Sequence, residues 1–464
     1  MKENTATLRA INSLAFLRSV LNLPFSRALF RFVSNKKVER AFNVYLGLCK
    51  PQSFAERVLA SSLEVVMKLG TSAFNVNEKE IKKVLKRKEY ARALSLIFKS
   101  IGEYGITKPQ KFSAPFLVVW NFTNACNLKC KHCYANAKFG GKELSLEENM
   151  EIIDKLYEAG VVAIAFSGGE PLISKNFFKL VRYAKQKGFF ISVATNGTLI
   201  TKNVAKKLKK VGVEYVEISI DSSREKVHDS FRGIKGAWKR ALEGVKNCAN
   251  EGICTGVATT VTKLNYNEIE EIISLAIKFG AKKFIAFNFI PTRRGEKIRN
   301  LDITPEEREI LLKRLVEIYS SGKIDALSTH PSYARITLEE SVKGKCDFIS
   351  IAHFGNVSTK LNALLIAELI GGCGAGRCYC SIEHNGDIQP CVFMPIKVGN
   401  VLKDDFIEVW KKNKILNSLR NRELLKGRCG NCKFKYLCGG CRAKAHAVSG
   451  DILAEDKDCM LSLP

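Results

Sequence analysis

The chain has 464 residues, 46% of them apolar and 26% charged. That is long enough for two or three domains, and too ordinary in composition for wholesale disorder, a collagen-like repeat or a disulfide-stapled mini-protein. Its 74 Lys and Arg against 46 Asp and Glu leave a formal net charge of +28, which favours anionic partners (nucleic acid, anionic lipid, or a small molecule with phosphates or carboxylates) without choosing among them.

Residues 1–110 read as a basic helical N-terminal region. Leu14, Leu17, Leu21, Phe25, Leu29 and Phe32 recur every three to four residues among Arg9, Arg18, Arg27 and Arg31. This predicts a basic amphipathic segment over residues 8–33, split at Pro24, that packs on the rest of the protein or lies on an anionic membrane surface. Lys79 to Ser100 reads as further basic helix, and Pro109 and Pro115 mark a connector.

Residues 113–322 alternate strand and helix. Phe116–Trp120, Val161–Phe166, Phe189–Ala194, Tyr215–Ile220, Thr255–Val261 and Lys283–Phe289 are short β-rich runs. Between them lie the helical patterns Leu146–Ala159, Lys175–Lys187, Lys202–Val211, Ala237–Glu251 and Asn267–Phe279. Six such units in series predict an α/β fold with a parallel sheet, open or closed into a partial barrel. Chemistry in parallel barrels gathers at the C-terminal ends of the strands.

Residues 345–464 hold ten of the sixteen cysteines, with glycine-rich punctuation at 371–376 and 439–440 and few convincing helices or strands. A region so poor in regular core is expected to be organised by metal. No run reaches the roughly 18–20 uncharged apolar residues of a membrane span, and no secretory leader is evident. The expectation is a cytoplasmic chain, where so many cysteines imply metal rather than disulfides.

Cys126, Cys130 and Cys133 follow the first β run with Cys-x3-Cys-x2-Cys spacing. Three thiolates in eight residues wrap one corner of an iron–sulfur cubane and leave one iron free to hold a small molecule. The alternative is a zinc site with a fourth ligand elsewhere, for which His132 is a candidate. The second β run ends in Ser167-Gly168-Gly169-Glu170-Pro171, where glycines permit close backbone approach and the Glu170 carboxylate matches an ammonium. Asn196, in Thr195-Asn196-Gly197, faces the same rim or simply makes a turn.

Together these motifs resemble the radical S-adenosylmethionine (SAM) superfamily. The resemblance implies a partial (β/α)6 TIM-like barrel whose Cys126, Cys130 and Cys133 hold a [4Fe–4S] cluster. It further implies that Gly168, Gly169 and Glu170 receive the amino group of SAM's methionine moiety, that Ser219 and Asp221 meet the ribose hydroxyls, and that Arg240 meets the SAM carboxylate. His132 departs from the aromatic residue usual at that position. Reductive cleavage of SAM would give a 5′-deoxyadenosyl radical that takes hydrogen from an unactivated carbon. A ferredoxin or flavodoxin is the electron donor so implied.

The tail reads Cys373-x4-Cys378-x-Cys380, Gly386-x4-Cys391, Cys429-x2-Cys432-x5-Cys438-x2-Cys441 and Cys459. This is similar to the SPASM extension of radical SAM enzymes, which holds one or two auxiliary [4Fe–4S] clusters. By position, Cys429, Cys432, Cys438 and Cys459 would hold one. Cys391 and Cys441 would hold the other with two of Cys373, Cys378 and Cys380. The gap between Cys438 and Cys441 is one residue short of the family pattern, and one cysteine near 373–380 is surplus.

The wording of the tail and of Ile290-Pro291-Thr292-Arg293-Arg294-Gly295 looks like the branch that makes haem and matures cofactors. The implied substrate is a peptide or a tetrapyrrole, with a membrane lipid as the alternative. Another class of reading is a non-enzymatic zinc- and nucleic-acid-binding protein using Cys429–Cys441 as knuckles. No aromatic–basic module supports it, so no nucleic acid is expected.

Overall fold

β-rich runs that alternate with amphipathic helices bury their apolar faces by lining up in parallel with the helices packed outside. The computed structural model, which describes residues 22–24, 27, 36–73, 78–138, 143–351, 355–358 and 363–462, has that arrangement. Among the described residues four helices come first: α1 (Lys36–Tyr45), α2 (Phe54–Ala73), α3 (Glu78–Leu85) and α4 (Lys88–Tyr104). They share a small core of their own, built on Phe42, Leu59, Leu63 and Phe98. The amphipathic segment expected over 8–33 lies almost wholly outside the described residues. No described helix is long and apolar enough to cross a membrane.

The barrel region then runs β1 (Leu117–Thr123), α5 (Leu146–Ala159), β2 (Ala163–Gly168), α6 (Phe177–Gln186), β3 (Phe190–Thr195), α7 (Lys202–Lys210) and β4 (Tyr215–Ser219). It continues through α8 (Glu225–Arg232), α9 (Ala237–Asn250), β5 (Cys254–Val261), α10 (Ile269–Lys278), β6 (Lys283–Asn288) and α11 (Pro305–Ser320). Local signals set the ends of these elements. Ser145 and Glu148 form a capping box on α5, which closes on Gly160 in the left-handed region. Thr304 and Glu307 do the same for α11, with Pro305 in its first turn.

All six expected strands are present, and the sheet is larger than six. A short β7 (Asp325–Ser328) adds in parallel to β6. After α12 (Ser332–Val342), the hairpin of β8 (Phe348–Ile351) and β9 (Gly355–Ser358), and α13 (Ala363–Ile370), the strand β10 (Tyr379–Ile382) joins the other edge, parallel to β1. Two antiparallel strands, β11 (Asp387–Gln389) and β12 (Gly399–Asn400), finish the sheet in the order β12-β11-β10-β1-β2-β3-β4-β5-β6-β7. The sheet is therefore an open partial barrel. The cysteine-rich region is part of it, because β10 covers the edge that β1 would otherwise expose.

Along β1, Val118, Trp120 and Phe122 face the helices, and Trp120, Phe122, Phe166 and Phe177 form an aromatic cluster with edge contacts. The last helices, α14 (Phe406–Lys412), α15 (Lys414–Arg420), α16 (Gly427–Asn431) and α17 (Arg442–Ser449), fold back on this unit. Trp410, fully buried, donates its indole N–H to the Phe112 carbonyl at 2.8 Å.

The helical N-terminal unit docks at the end of the sheet opposite the strand C-termini. Arg92 of α4 donates to the carbonyls of Val161, at 2.6 Å, and Tyr157, at 3.3 Å, and stacks over the rings of Tyr157 and Phe189. The four described helices therefore lie away from the opposite rim. Replacing Arg92 with Ala removes two hydrogen bonds and two cation–π contacts. It is expected to cost about 1–3 kcal/mol of stability, read as a lower thermal midpoint of the full chain. An unchanged midpoint would show that the dock does not depend on this side chain.

Candidate functional site

β1 ends at Thr123, and the following loop folds over the C-terminal rim of the sheet, stitched down on two sides. Toward β2, the amides of Gly169 and Glu170 donate to the carbonyls of Thr123 and Ala125, both at 2.8 Å. Toward α8, the amides of Lys129 and Lys131 donate to the carbonyls of Arg232 and Phe231 at 3.1 and 2.9 Å. The last carbonyls of a helix lack partners within it, so the cysteine loop serves as the cap of α8.

The two glycines have a steric reason. A Cβ on Gly168, whose φ is +123°, would overlap the Thr123 carbonyl oxygen, and one on Gly169 would overlap that of Ala125. Their close approach is thus to the cysteine loop itself.

Cys126, Cys130 and Cys133 all line one open cavity at this rim. Burial pushes the Cys126 thiol up to about 12, the Leu128 amide opposes this, and Cys130, Glu170 and Cys133 add to it. Burial also raises Cys130, partly offset by Arg232, whose guanidinium lies 3.8 Å from its sulfur. Cys130 is buried and Cys126 and Cys133 are half-buried, and a cationic centre among them would favour the thiolate form that binds metal. A single zinc ion would draw its ligand atoms close together. Among the described residues no trio including a cysteine has its ligand atoms within 4.8 Å of one another. The set is spread for a larger group, and an iron–sulfur cluster with three protein ligands fits it.

His132, the candidate fourth zinc ligand, stacks its ring on Phe231 at 4.2 Å and 11°, with Nε2 3.9 Å from Asp221. Burial lowers its pKa to about 3.

Of the other residues predicted for this site, Gly168, Gly169, Asn196 and Ser219 line the cavity. Asn196 links the loops, donating to Asn127 Oδ1 at 2.8 Å and accepting from the Thr198 amide at 2.9 Å. Three predicted residues do not line it. Glu170 is wholly buried; it accepts from Thr195 Oγ1 at 2.7 Å, the Asn196 amide at 2.8 Å and the Leu172 amide at 3.2 Å. Its carboxylate braces β2 against β3. Asp221 is buried against Arg232 at 2.6 Å and the Thr260 amide at 2.9 Å. Burial would raise its pKa, but Arg232, His132 and His228 outweigh that and hold it low. Arg240 is exposed on α9.

The lining also includes Arg232, Glu217 and Asn288, which the sequence reading did not single out, and Arg294, which it quoted only within a motif. Tyr215, Glu217 and Ser219 alternate with the buried Val216 and Ile218, so strand period marks Glu217 as facing inward. Burial raises its pKa to about 7. Asn288 ends β6 with both side-chain polar atoms buried and without a partner among the described residues. Arg232 carries no sequence signal, because its partners come from the cysteine loop and β4.

The tail gathers a second and a third cysteine set. Cys429, Cys432, Cys438 and Cys459 line one pocket with Gly439 and Gly440, as the positional reading expects. Cys373, Cys391 and Cys441 lie in one core cluster, where burial raises the thiols of Cys391 and Cys441 and the nearby Cys373 adds to both. The Tyr379 hydroxyl lies 3.0 Å from the Cys391 sulfur. Cys378 stands beside Cys373, whereas Cys380 sits in the apolar core of the barrel, paired across β10 with Val118. Cys373, Cys391 and Cys441 are thus brought together, and Cys380 stands apart from them in the barrel core.

Known proteins share these features. The Radical SAM superfamily matches residues 120–276, and SPASM, an iron–sulfur cluster-binding domain, matches residues 373–433. An AdoMet-dependent heme synthase of Methanosarcina barkeri is 33% identical over 75% of this chain and 97% of its own length. An Fe-coproporphyrin III synthase of the same organism is 34% identical over 75% of this chain and 88% of its own length. In fold, the chain resembles SuiB of Streptococcus suis, solved with its precursor peptide SuiA. The TM-score is 0.64 at 18% identity, over 91% of this chain and 93% of that one.

The three sets separate in a variant series. Changing Cys126, Cys130 and Cys133 together to Ala should remove about four irons per chain, abolish SAM cleavage, and leave the iron of the tail in place. Cys380→Ala should keep every iron, while Cys391→Ala should lose tail iron. Iron and sulfide analysis of anaerobically reconstituted protein reads all three. SAM cleavage by the triple variant would contradict the assignment of the first set.

Proposed function

The chain belongs to the radical SAM superfamily and carries its SPASM extension, and from that premise we propose that it modifies a tetrapyrrole. Bound by Cys126, Cys130 and Cys133, a [4Fe–4S] cluster supplies the electron that splits SAM into methionine and a 5′-deoxyadenosyl radical able to take hydrogen from an unactivated carbon. The polypeptide's part is positioning. The loop between β1 and α5 presents three sulfurs, Arg232 sets a positive charge beside one of them, and the open rim admits the second reactant. In this reading the electron comes from a ferredoxin- or flavodoxin-type protein in the cytoplasm.

The observation that carries the tetrapyrrole is the near full-length match to the AdoMet-dependent heme synthase. The chemistry of the cavity agrees with it. Phe287, Phe289, Phe393 and Tyr134 give it flat apolar walls, suited to a macrocycle. Arg294 donates to the Ala137 carbonyl at 3.0 Å and keeps its buried Nε without a partner among the described residues. A guanidinium so placed can pair with a substrate carboxylate. Membership of this superfamily leaves no room for the non-enzymatic zinc and nucleic-acid reading.

The test is anaerobic incubation of the reconstituted chain with SAM, dithionite and, in separate reactions, Fe-coproporphyrin III, a metal-free porphyrin, a synthetic peptide and anionic phospholipid vesicles. 5′-Deoxyadenosine should rise several-fold with a tetrapyrrole alone, with a matching mass change in that tetrapyrrole. A rise with the peptide or the vesicles only would overturn the proposal.

A further inference from the structure

The third and second cysteine sets meet at one buried cation. Arg422 follows α15 and is 1% exposed. Its Nη2 donates to the carbonyl of Cys373, of the third set, at 2.9 Å. Its guanidinium lies flat on Gly439, where a Cβ would come within 2.6 Å of Cζ and Nη1. Gly439 and Gly440 are the two residues between Cys438, of the second set, and Cys441, of the third. The shortened gap noted in the sequence is therefore where this side chain sits. The left-handed φ of Gly439, +68°, clears the space that a side chain would fill.

Arg422 is also uncompensated. Nε and Nη1 are buried without a partner, and no carboxylate pairs with it among the described residues. The contrast with its neighbours is sharp. Arg335, beside the second set, pairs with Glu309 and Glu339. Arg308 pairs with Asp302 and Asp458. The charges nearest Arg422 besides the cysteines are two further buried cations, Arg377 and Arg442. Arg442 reaches to 3.8 Å from the Cys429 sulfur. A buried guanidinium without a counter-charge costs several kcal/mol. The groups able to supply negative charge here are the thiolates Cys373 and Cys438, once each set carries a cluster.

We propose that Arg422 is the shared counter-charge of both auxiliary clusters and holds their reduction potentials up. The proposal rests on the reading that both tail sets carry iron–sulfur clusters. Adding an electron to a cluster adds a negative charge, which a fixed cation stabilises, so the potential rises with the cation and falls without it. Arg422 is a positioning residue: it touches neither SAM nor substrate.

The experiment compares wild type, Arg422→Gln and Arg422→Lys as full-length, anaerobically reconstituted chains. Iron and zinc per chain are measured first, and then the cluster potentials by an EPR-monitored redox titration. The SAM-site cluster is identified by its spectral change on adding SAM. Arg422→Gln should lower the potentials of both auxiliary signals and leave the SAM-site signal in place, whereas Arg422→Lys should stay near wild type. Loss of auxiliary iron in the Gln variant but not the Lys variant supports the same conclusion, since charge is then what the clusters require. Unchanged potentials, movement of one auxiliary signal alone, or equal iron loss in both variants overturns it. Equal loss would assign the side chain to holding the Cys373 carbonyl. Zinc, or no iron, in the tail of the wild type would instead overturn the underlying reading.

Discussion

Everything at the rim of the barrel depends on how closely the cysteine loop lies on the second strand. Gly168 and Gly169 have no room for a Cβ because the carbonyls of Thr123 and Ala125 occupy it, and the same carbonyls accept the amides of Gly169 and Glu170. Glu170 completes the clamp from below, with its carboxylate held by Thr195, Leu172 and Asn196. A short run of sequence thus serves first as a seat for three sulfurs. Its Gly168 and Gly169 also line the cavity.

Electrostatics repeats one device at each sulfur site. Arg232 stands beside Cys130, Arg442 beside Cys429, and Arg422 beside the Cys373 carbonyl. A thiolate-bound cluster is an anion in a region of low dielectric, and a nearby guanidinium lowers the cost of keeping it there. The sites differ in what else holds the cation. Arg232 shares its charge with Asp221, while Arg422 faces the cysteines without any carboxylate among the described residues. The formal charge of +28 is thus partly internal, and the bulk composition could not reveal that.

Period and spacing made much of this legible. The six strands and the helices between them follow from apolar repeats, and the ends of α5 fall where Leu146 and Ala159 mark them. β7 was missed because Asp-Ala-Leu-Ser holds no β-branched or aromatic residue. α8 was missed because its eight residues are mostly polar. The cysteine sets were legible because spacing along a loop survives folding. The hydrogen-bond partners of Glu170 and Asp221 were not, since most come from other parts of the sheet, and neither were those of Arg232 and Arg422, whose neighbours are far away in sequence. Cys380 shows the opposite limit. It lies in a cysteine-rich motif, yet strand alternation turns it into the barrel core beside Val118.

The central claim is that the first cysteine set leaves one iron open to SAM. Electron–nuclear double resonance on the reduced, reconstituted protein tests it, using SAM labelled with nitrogen and oxygen isotopes in its amino and carboxylate groups. The labelled nitrogen and oxygen should couple to one cluster only, and that coupling should vanish when Cys126, Cys130 and Cys133 are replaced. Absence of coupling in the intact protein, or coupling that survives those replacements, would contradict the account.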